Sequence, residues 1–419
     1  MMKERDIVII GGGSAGMAAA LAAKENGIDD IVILERESEL GGILQQCIHN
    51  GFGLQIFKEE LSGPAFAQRL MDRIRREQID YRLNTSVVTL TKDRKITYVN
   101  PKEGYTEITA KAIILACGCY ERSRGAISIP GTRPKGIYTA GTAQKYLNIE
   151  NILVGKNIFI LGSGDIGLIM ARRMTLEGAK VHGVAELMPY SNGLMRNIVQ
   201  CLQDFDIPLY LSHTVTAIRG KDHLEEVEIS QVDEQHHIIP GTAKTFAVDT
   251  LLLSVGLIPD SSLAYDAGIE LDLSTKGAIV NERFETSVPG IYACGNALHV
   301  HDLVDYVTME AQAAGFYAAE DLQEPNRKQK LVEVAAGEGI NGVVPQRVNV
   351  HAKEDAVFSF RSREVHGPCV IEISDDEKQI KTIYRRYLLP AEMERFTLKR
   401  EDINRIHGKL KIGVRDQHD

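Results

Sequence analysis

The chain has no tryptophan, and aromatic residues make up only 6% of its 419 residues. No apolar run approaches the roughly 18 residues that a membrane-spanning helix needs, so no membrane span is expected. No block of about five basic residues occurs. With a net charge of −9, nucleic acid is a poor partner. Cysteine is scarce as well. The six residues Cys47, Cys117, Cys119, Cys201, Cys294 and Cys369 are too few and too scattered for the disulfide framework of a small secreted protein. No Cys-x-x-Cys is present, and Cys117-Gly118-Cys119 is the single close pair. Four ligands at regular spacing are missing, so no metal site is expected. The segment Lys3-Glu4-Arg5-Asp6 leads into a short apolar run, without the longer stretch and cleavage site of a secretory signal; the expected location is cytoplasmic. What remains is ordinary for a globular protein, at 44% apolar and 25% charged. The length suggests two or three domains.

Glycine, by contrast, is well placed. Asp6-Ile7-Val8-Ile9-Ile10 is a continuous apolar run suited to a strand buried on both faces. It leads into Gly11-Gly12-Gly13-Ser14-Ala15-Gly16 and an alanine-rich stretch that favours helix. A second apolar run, Ile31–Leu34, ends in Glu35. Gly11 makes the turn, Gly13 lets a pyrophosphate touch backbone, and Gly16 lets helix and strand approach. The carboxylate accepts from ribose hydroxyls, and the helix N-terminus offers oriented N–H groups. The unit recurs: Asn157–Leu161, then Gly162-Ser163-Gly164-Asp165-Ile166-Gly167, a helical stretch, and Lys180–Ala185 ending in Glu186. In both units the acid follows the first glycine by 24 residues. One such motif is weak evidence; two in full context indicate two dinucleotide sites.

On these motifs the sequence resembles the two-dinucleotide-binding-domain flavoproteins, the pyridine nucleotide–disulfide oxidoreductase superfamily, over about residues 5–325. The resemblance implies FAD in the first cradle and NAD(P) in an inserted second one. It places FAD against Gly11, Gly13, Ser14, Ala15, Gly16, Glu35, Arg36, Gly42, Val88, Ala116, Gly118, Gly295 and Asn296. Gly41-Gly42 stands where the family has a glycine pair. Ala112–Gly118 matches the strand ending Ala-Thr-Gly, with Cys117 for threonine. Gly290–Asn296 matches the late FAD motif, with Asn296 for the usual aspartate. An amide still hydrogen-bonds hydroxyls but brings no charge. The dinucleotide of the second site meets Gly162, Gly164, Asp165, Ile166, Gly167, Glu186 and Gly256. NAD is expected there rather than NADP, because Glu186 would repel a 2′-phosphate and no arginine follows it.

The disulfide reductases carry Cys-x-x-x-x-Cys after the glycine pair, or Cys-x-x-Cys in the NAD domain. This chain has Cys47 alone, so a dithiol mechanism is not expected. Catalytic candidates are Cys47 with His49, as a thiolate–imidazolium pair, and His299 with His301. The latter two alternate on an extended stretch and so can face one side, as proton relay or substrate contact. The runs Gly41–Gly53 and Cys294–Val307 look most like the flavoprotein encoded beside anaerobic-type glycerol-3-phosphate dehydrogenase. Its wider relatives are subunits of opine oxidase, hydrogen cyanide synthase and dye-linked proline dehydrogenase. This resemblance implies partners: a flavin dehydrogenase subunit and a small iron–sulfur protein. Other readings are a stand-alone NADH oxidase or peroxidase using Cys47, and a non-catalytic FAD-containing scaffold.

Beyond the polar stretch 321–330, short alternating runs such as Ala356–Phe360 and Cys369–Ile373 read as strands, with 15 basic and 15 acidic residues from 331 to 419. The expected fold class is α/β: two Rossmann-like three-layer domains, the NAD domain inserted in the FAD domain, plus a small β-rich C-terminal domain. Expected boundaries are 1–125 with 280–325 for FAD, 126–279 for NAD(P), and 331–419 for the last domain.

Overall fold

The computed structural model describes residues 3–325 and 329–417. Part of the polar stretch 321–330, residues 326–328, lies outside the described residues. The chain forms two compact units, Met1–Cys119 with Ile258–Asp419, and Tyr120–Leu257.

In the first unit, strand Lys3–Ile10 pairs in parallel with Ile31–Leu34 on one side and Gly104–Leu115 on the other. Ile7, Val8 and Ile9 are therefore fully buried, which is why this run is uninterrupted by polar residues. Each such side chain contributes roughly 1.5–3 kcal/mol on burial. The sheet order is Asp80–Arg82, Ile31–Leu34, Lys3–Ile10, Gly104–Leu115, Lys95–Asn100 and Ser86–Leu90, the last two antiparallel. A late strand, Ile291–Ala293, pairs with the C-terminal half of Gly104–Leu115. The chain thus leaves, builds the second unit and returns to finish the first sheet. Helix Ser14–Glu25 lies against helix Val304–Gln323. Its small residues allow a near contact of backbones: a Cβ on Gly315 would stand 2.1 Å from the Ala19 carbonyl oxygen.

The second unit holds a parallel sheet in the order Ile137–Thr139, Thr250–Leu253, Asn157–Leu161, Lys180–Glu186, Leu209–Leu211. An antiparallel sheet of His213–Arg219, Glu226–Gln231 and Lys244–Ala247 accompanies it. Its end differs from the sequence expectation of 279. Residues 258–279 group with the first unit, because Ala264, Ala267 and Ile269 pack into that unit's core.

The C-terminal region has a core of its own, built around Phe358, Phe360, Phe396, Ile371 and Ile412. The runs read from the sequence at 356–360 and 369–373 appear as Ala356–Ser362 and Cys369–Ser374, beside Ile340–Val344, Arg347–Asn349 and Gln379–Arg385. Leu331–Ala336, Met393–Leu398 and Leu410–Asp416 join them. In Leu410–Asp416 the buried Leu410, Ile412 and Val414 alternate with the outward Lys411 and Arg415, so that strand was legible in the sequence and was passed over. The region belongs to the first unit and packs onto the rest of it, Val280 N–H for one donating to Gln346 Oε1 at 3.0 Å. No helix among the described residues is long and apolar enough to cross a membrane.

Candidate active site: two cradles and a buried histidine–glutamate cluster

The first cradle is set by backbone proximity. Gly11 has φ +108°, and a Cβ there would stand 2.3 Å from the Ala116 oxygen. A Cβ on Gly16 would stand 1.8 Å from the Gly11 oxygen. Around Gly13, the N-cap of helix Ser14–Glu25, an added Cβ would meet nothing within 4 Å. The helix begins without a side-chain cap and without an acid in its first turn, so its N–H groups at Ser14 and Ala15 keep their field for an anion. Gly42 lies alongside: Gly41 N–H donates to Gly12 oxygen at 2.9 Å. Glu35 is buried at the strand end, where its carboxylate accepts from Gly12 N–H at 2.6 Å and Glu37 N–H at 2.8 Å. Gly118 closes the other side, its oxygen accepting from Asp260 N–H. Val88 sits at a break in strand register and is 48% exposed, which leaves its backbone free of the ladder. Arg36 is largely exposed beside Glu37.

The second cradle repeats the path with different furniture. A Cβ on Gly162 would stand 2.1 Å from the Ser254 oxygen, and one on Gly167 2.7 Å from the Gly162 oxygen. Glu186 accepts from Ser163 N–H at 2.9 Å, Ser163 Oγ–H at 2.6 Å and Met188 N–H at 3.0 Å. Asp165 Oδ1 accepts from Leu194 N–H and Asn197 Nδ2. Ile166 follows on the same helix, partly buried, and Gly256 oxygen accepts from Arg122 N–H at 3.0 Å.

The late motif gathers chemistry that the sequence only half displayed. Glu310, from the helix, is buried with both histidines. His299 Nε2 lies 2.7 Å and His301 Nε2 3.2 Å from the same oxygen, Oε2, and Gly295 N–H donates to Oε1 at 2.7 Å. The two rings are 4.3 Å apart. Burial works to raise the Glu310 carboxyl, but the His301 and His299 imidazoles outweigh it and hold it well below the usual range. Burial pushes the His299 imidazole down, against the pull of Glu310. These residue types also occur in metal sites. The separations are hydrogen-bond lengths, however, and two N–H donors on one carboxylate oxygen account for them. Asn296 turns its amide inward: Oδ1 accepts from His301 N–H at 3.0 Å and Nδ2 reaches Cys119 Sγ at 3.6 Å.

Sequence reasoning passed over Glu310, Asp302, Asp305 and Arg361. Asp305 accepts from Gly53, Gln55 and Ile56 N–H groups, tying that loop to the helix start. Arg361, from the C-terminal region, donates to Val300, Pro390 and Ala391 oxygens and pairs with Asp302. Asp302 in turn accepts from Met393 N–H at 2.6 Å, and Arg395 stacks on Tyr306 at 4.4 Å. The C-terminal region therefore grips the segment that carries both histidines. An acid near a histidine pair was the one available signal, and it named no particular residue.

Cys47 and His49 follow the glycine pair on a short 3₁₀ turn and its exit. Burial pushes the Cys47 thiol up to about 12. A thiolate held by an imidazolium would be shifted the other way. The His49 ring lies 5.0 Å from Phe52, with Nδ1 at 3.0 Å from Asn50 oxygen.

The family described as "Pyridine nucleotide-disulphide oxidoreductase" matches residues 5–339, and the chain belongs to it. Hydrogen cyanide synthase subunit HcnB of Pseudomonas protegens is 27% identical over 313 residues, 69% of this chain and 65% of that protein. The matched stretch thus spans a little under two thirds of that relative. An NADH oxidase of Methanocaldococcus jannaschii is 26% identical over 401 residues, covering 90% of this chain and 79% of its own. The fold is shared with T. acidophilum thioredoxin reductase, at a TM-score of 0.63 and 24% identity over 77% of this chain and 99% of that one. Members of this family use FAD with NAD(P)H. The residues fit those groups: Gly13 leaves the space that a Cβ would fill, and an uncapped helix start faces it.

Proposed function

We propose that the protein is an FAD-dependent oxidoreductase subunit that moves electrons between NAD(H) and a flavoprotein or iron–sulfur partner. The complex would be of the glycerol-3-phosphate dehydrogenase type, in the cytoplasm. The observation that carries this reading is the pair of complete cradles combined with a lone Cys47 whose thiol stays protonated at neutral pH. FAD, when bound, supplies hydride and electron chemistry; the chain supplies binding, orientation and a fixed electrostatic setting. Gly11 through Gly16 and Glu35 would hold FAD. Gly162 through Gly167 and Glu186 would hold the nicotinamide dinucleotide. NAD is preferred over NADP because Glu186 is buried at the strand end and Leu187-Met188-Pro189 offers no cation for a 2′-phosphate. The His299–His301–Glu310 cluster would hold a proton on an imidazole next to the Gly295–Asn296 motif. Any iron–sulfur cluster belongs to a partner, since four cysteines at cluster spacing are lacking in the sequence. Six cysteines without a disulfide suit a reducing compartment. The relative named as a synthase subunit supports work within a complex.

A second reading, a stand-alone NADH oxidase, is favoured by the relative of that name that matches over 90% of this chain. Anaerobic mixing with NADH separates the readings. Bleaching of the flavin is expected, followed by slow reoxidation in air and fast reoxidation by an artificial acceptor. Rapid turnover with oxygen would favour the oxidase. Absence of flavin, or no bleaching, would remove the main reading.

A further inference from the structure

In the second unit, beside the strand end that meets the Gly162 turn through Ser254, an open cleft of about 310 Å³ lies at the carboxyl ends of two adjacent parallel strands, Ile137–Thr139 and Thr250–Leu253. Ligands of open α/β sheets bind at this edge. Ile137 and Leu253 give the cleft an apolar floor, and Arg124, Arg133 and Thr139 line it. Two guanidiniums share this small space. Arg124 spends one nitrogen on the Ile129 and Gly131 oxygens, at 3.2 Å each. Neither arginine has a carboxylate partner among the described residues. The neighbouring acid, Glu121, is already engaged, its Oε1 accepting from Gly141 N–H at the start of helix Ala140–Asn148. Burial, and then the charge of Arg133, push the Arg124 guanidinium below its ordinary value, so the pair stands in mutual repulsion. Two like charges held together without a counter-charge cost stability, and an oxyanion bridging them would remove the cost.

We infer that this cleft is a binding subsite for a small phosphate monoester, its phosphoryl dianion set between Arg124 and Arg133 and its carbon portion against Ile137 and Leu253. Two guanidinium charges match a dianion better than a carboxylate. The inference does not depend on the proposed electron-transfer role, since binding is read directly.

The test is calorimetric titration of the FAD-loaded protein at low ionic strength, with inorganic phosphate, methyl phosphate and acetate as probes. Phosphate and methyl phosphate are expected to bind, and acetate more weakly. Arg133→Gln should weaken phosphate binding by roughly tenfold or more, as loss of a charged hydrogen bond does. Arg133 is exposed and makes no bond that the fold needs, so this variant should melt like the parent. Arg124→Gln should act in the same direction, and Arg133→Lys should recover part of the affinity. Failure of the parent to bind phosphate at millimolar concentration would overturn the inference, as would unchanged binding in Arg133→Gln. Acetate binding as tightly as phosphate would overturn the phosphoryl assignment. NADH affinity is the control. If Arg133→Gln weakens NADH as much as phosphate, the arginines serve the dinucleotide and a separate subsite is excluded.

Discussion

The two cradles share a backbone path and an acid at equal distance, yet they are furnished differently. At the first, the helix start has no acidic residue, and the space at Gly13 is open. At the second, Asp165 stands in the first turn of the helix. Ser163 is hydrogen-bonded to Glu186, and a Cβ on Gly164 would lie 3.3 Å from Ser254 Oγ. A carboxylate in the first turn offsets part of the helix-terminus field that would otherwise act on a phosphate. The first cradle is thus stripped for a strongly held anion. The second adds the Ser163 hydroxyl bond to Glu186 and an acid at the helix start, which we expect to weaken its hold on a phosphate. The same contrast matches a resident FAD and an exchangeable NAD under the proposed function.

The largest expected effect comes from the third glycines. Gly16→Ala would force a Cβ to 1.8 Å from the Gly11 oxygen, which backbone must move to relieve. We expect FAD to be lost on gel filtration, with about 1–3 kcal/mol of stability. Gly167→Ala meets the Gly162 oxygen at 2.7 Å and should spare bound FAD while impairing NADH use. A variant pair with the opposite pattern would break the comparison.

Next are the acids. Glu186→Ala should reduce NADH use roughly tenfold to a hundredfold, the worth of a charged hydrogen bond, measured as kcat/KM with a dye acceptor. NADPH use should suffer less or improve. NADPH as the better reductant of the unmodified protein would reverse our assignment of Glu186.

Arg361→Met should act at the first cradle from the C-terminal region. It removes the pairing with Asp302 and the bond to Val300 oxygen. FAD should dissociate roughly tenfold faster, at the value of one charged hydrogen bond, without any change in NADH binding. Equal FAD release rates would show that the grip on the histidine segment does not reach the cofactor site.

The smallest effect is expected at Cys47. With its thiol near 12, thiolate is scarce at neutral pH and grows about tenfold per pH unit from 7 to 10. Mass spectrometry should find Cys47 alkylation slow at pH 7 and rising with that slope. Cys47→Ser should keep most dye-reductase activity. A fall to background, with FAD still bound, would make Cys47 a redox centre.

Local pattern was enough for the strand–glycine–helix units, because the turn, the close approach and the buried strand each demand particular residues within about 35 positions. It also singled out His299 and His301 together, although His299 N–H closes a turn onto Gly295 oxygen and the stretch is not extended there. The end of the inserted unit was not legible. Ala264, Ala267 and Ile269 are apolar wherever they pack, and only the fold assigns them to the first core.

By itself, the sequence determined the two cradles, the acid at the end of each second strand, the lack of a dithiol and the β-rich character of the C-terminal region. These follow from short-range rules of backbone geometry and side-chain type. Tertiary structure alone decided that Glu310 would receive both histidines, that Asn296 would turn inward, and that Arg361 would hold the segment between them from 59 residues beyond Asp302. Polar side chains buried together must pair. Which partners meet depends on how distant segments pack, and spacing along the chain does not carry that information.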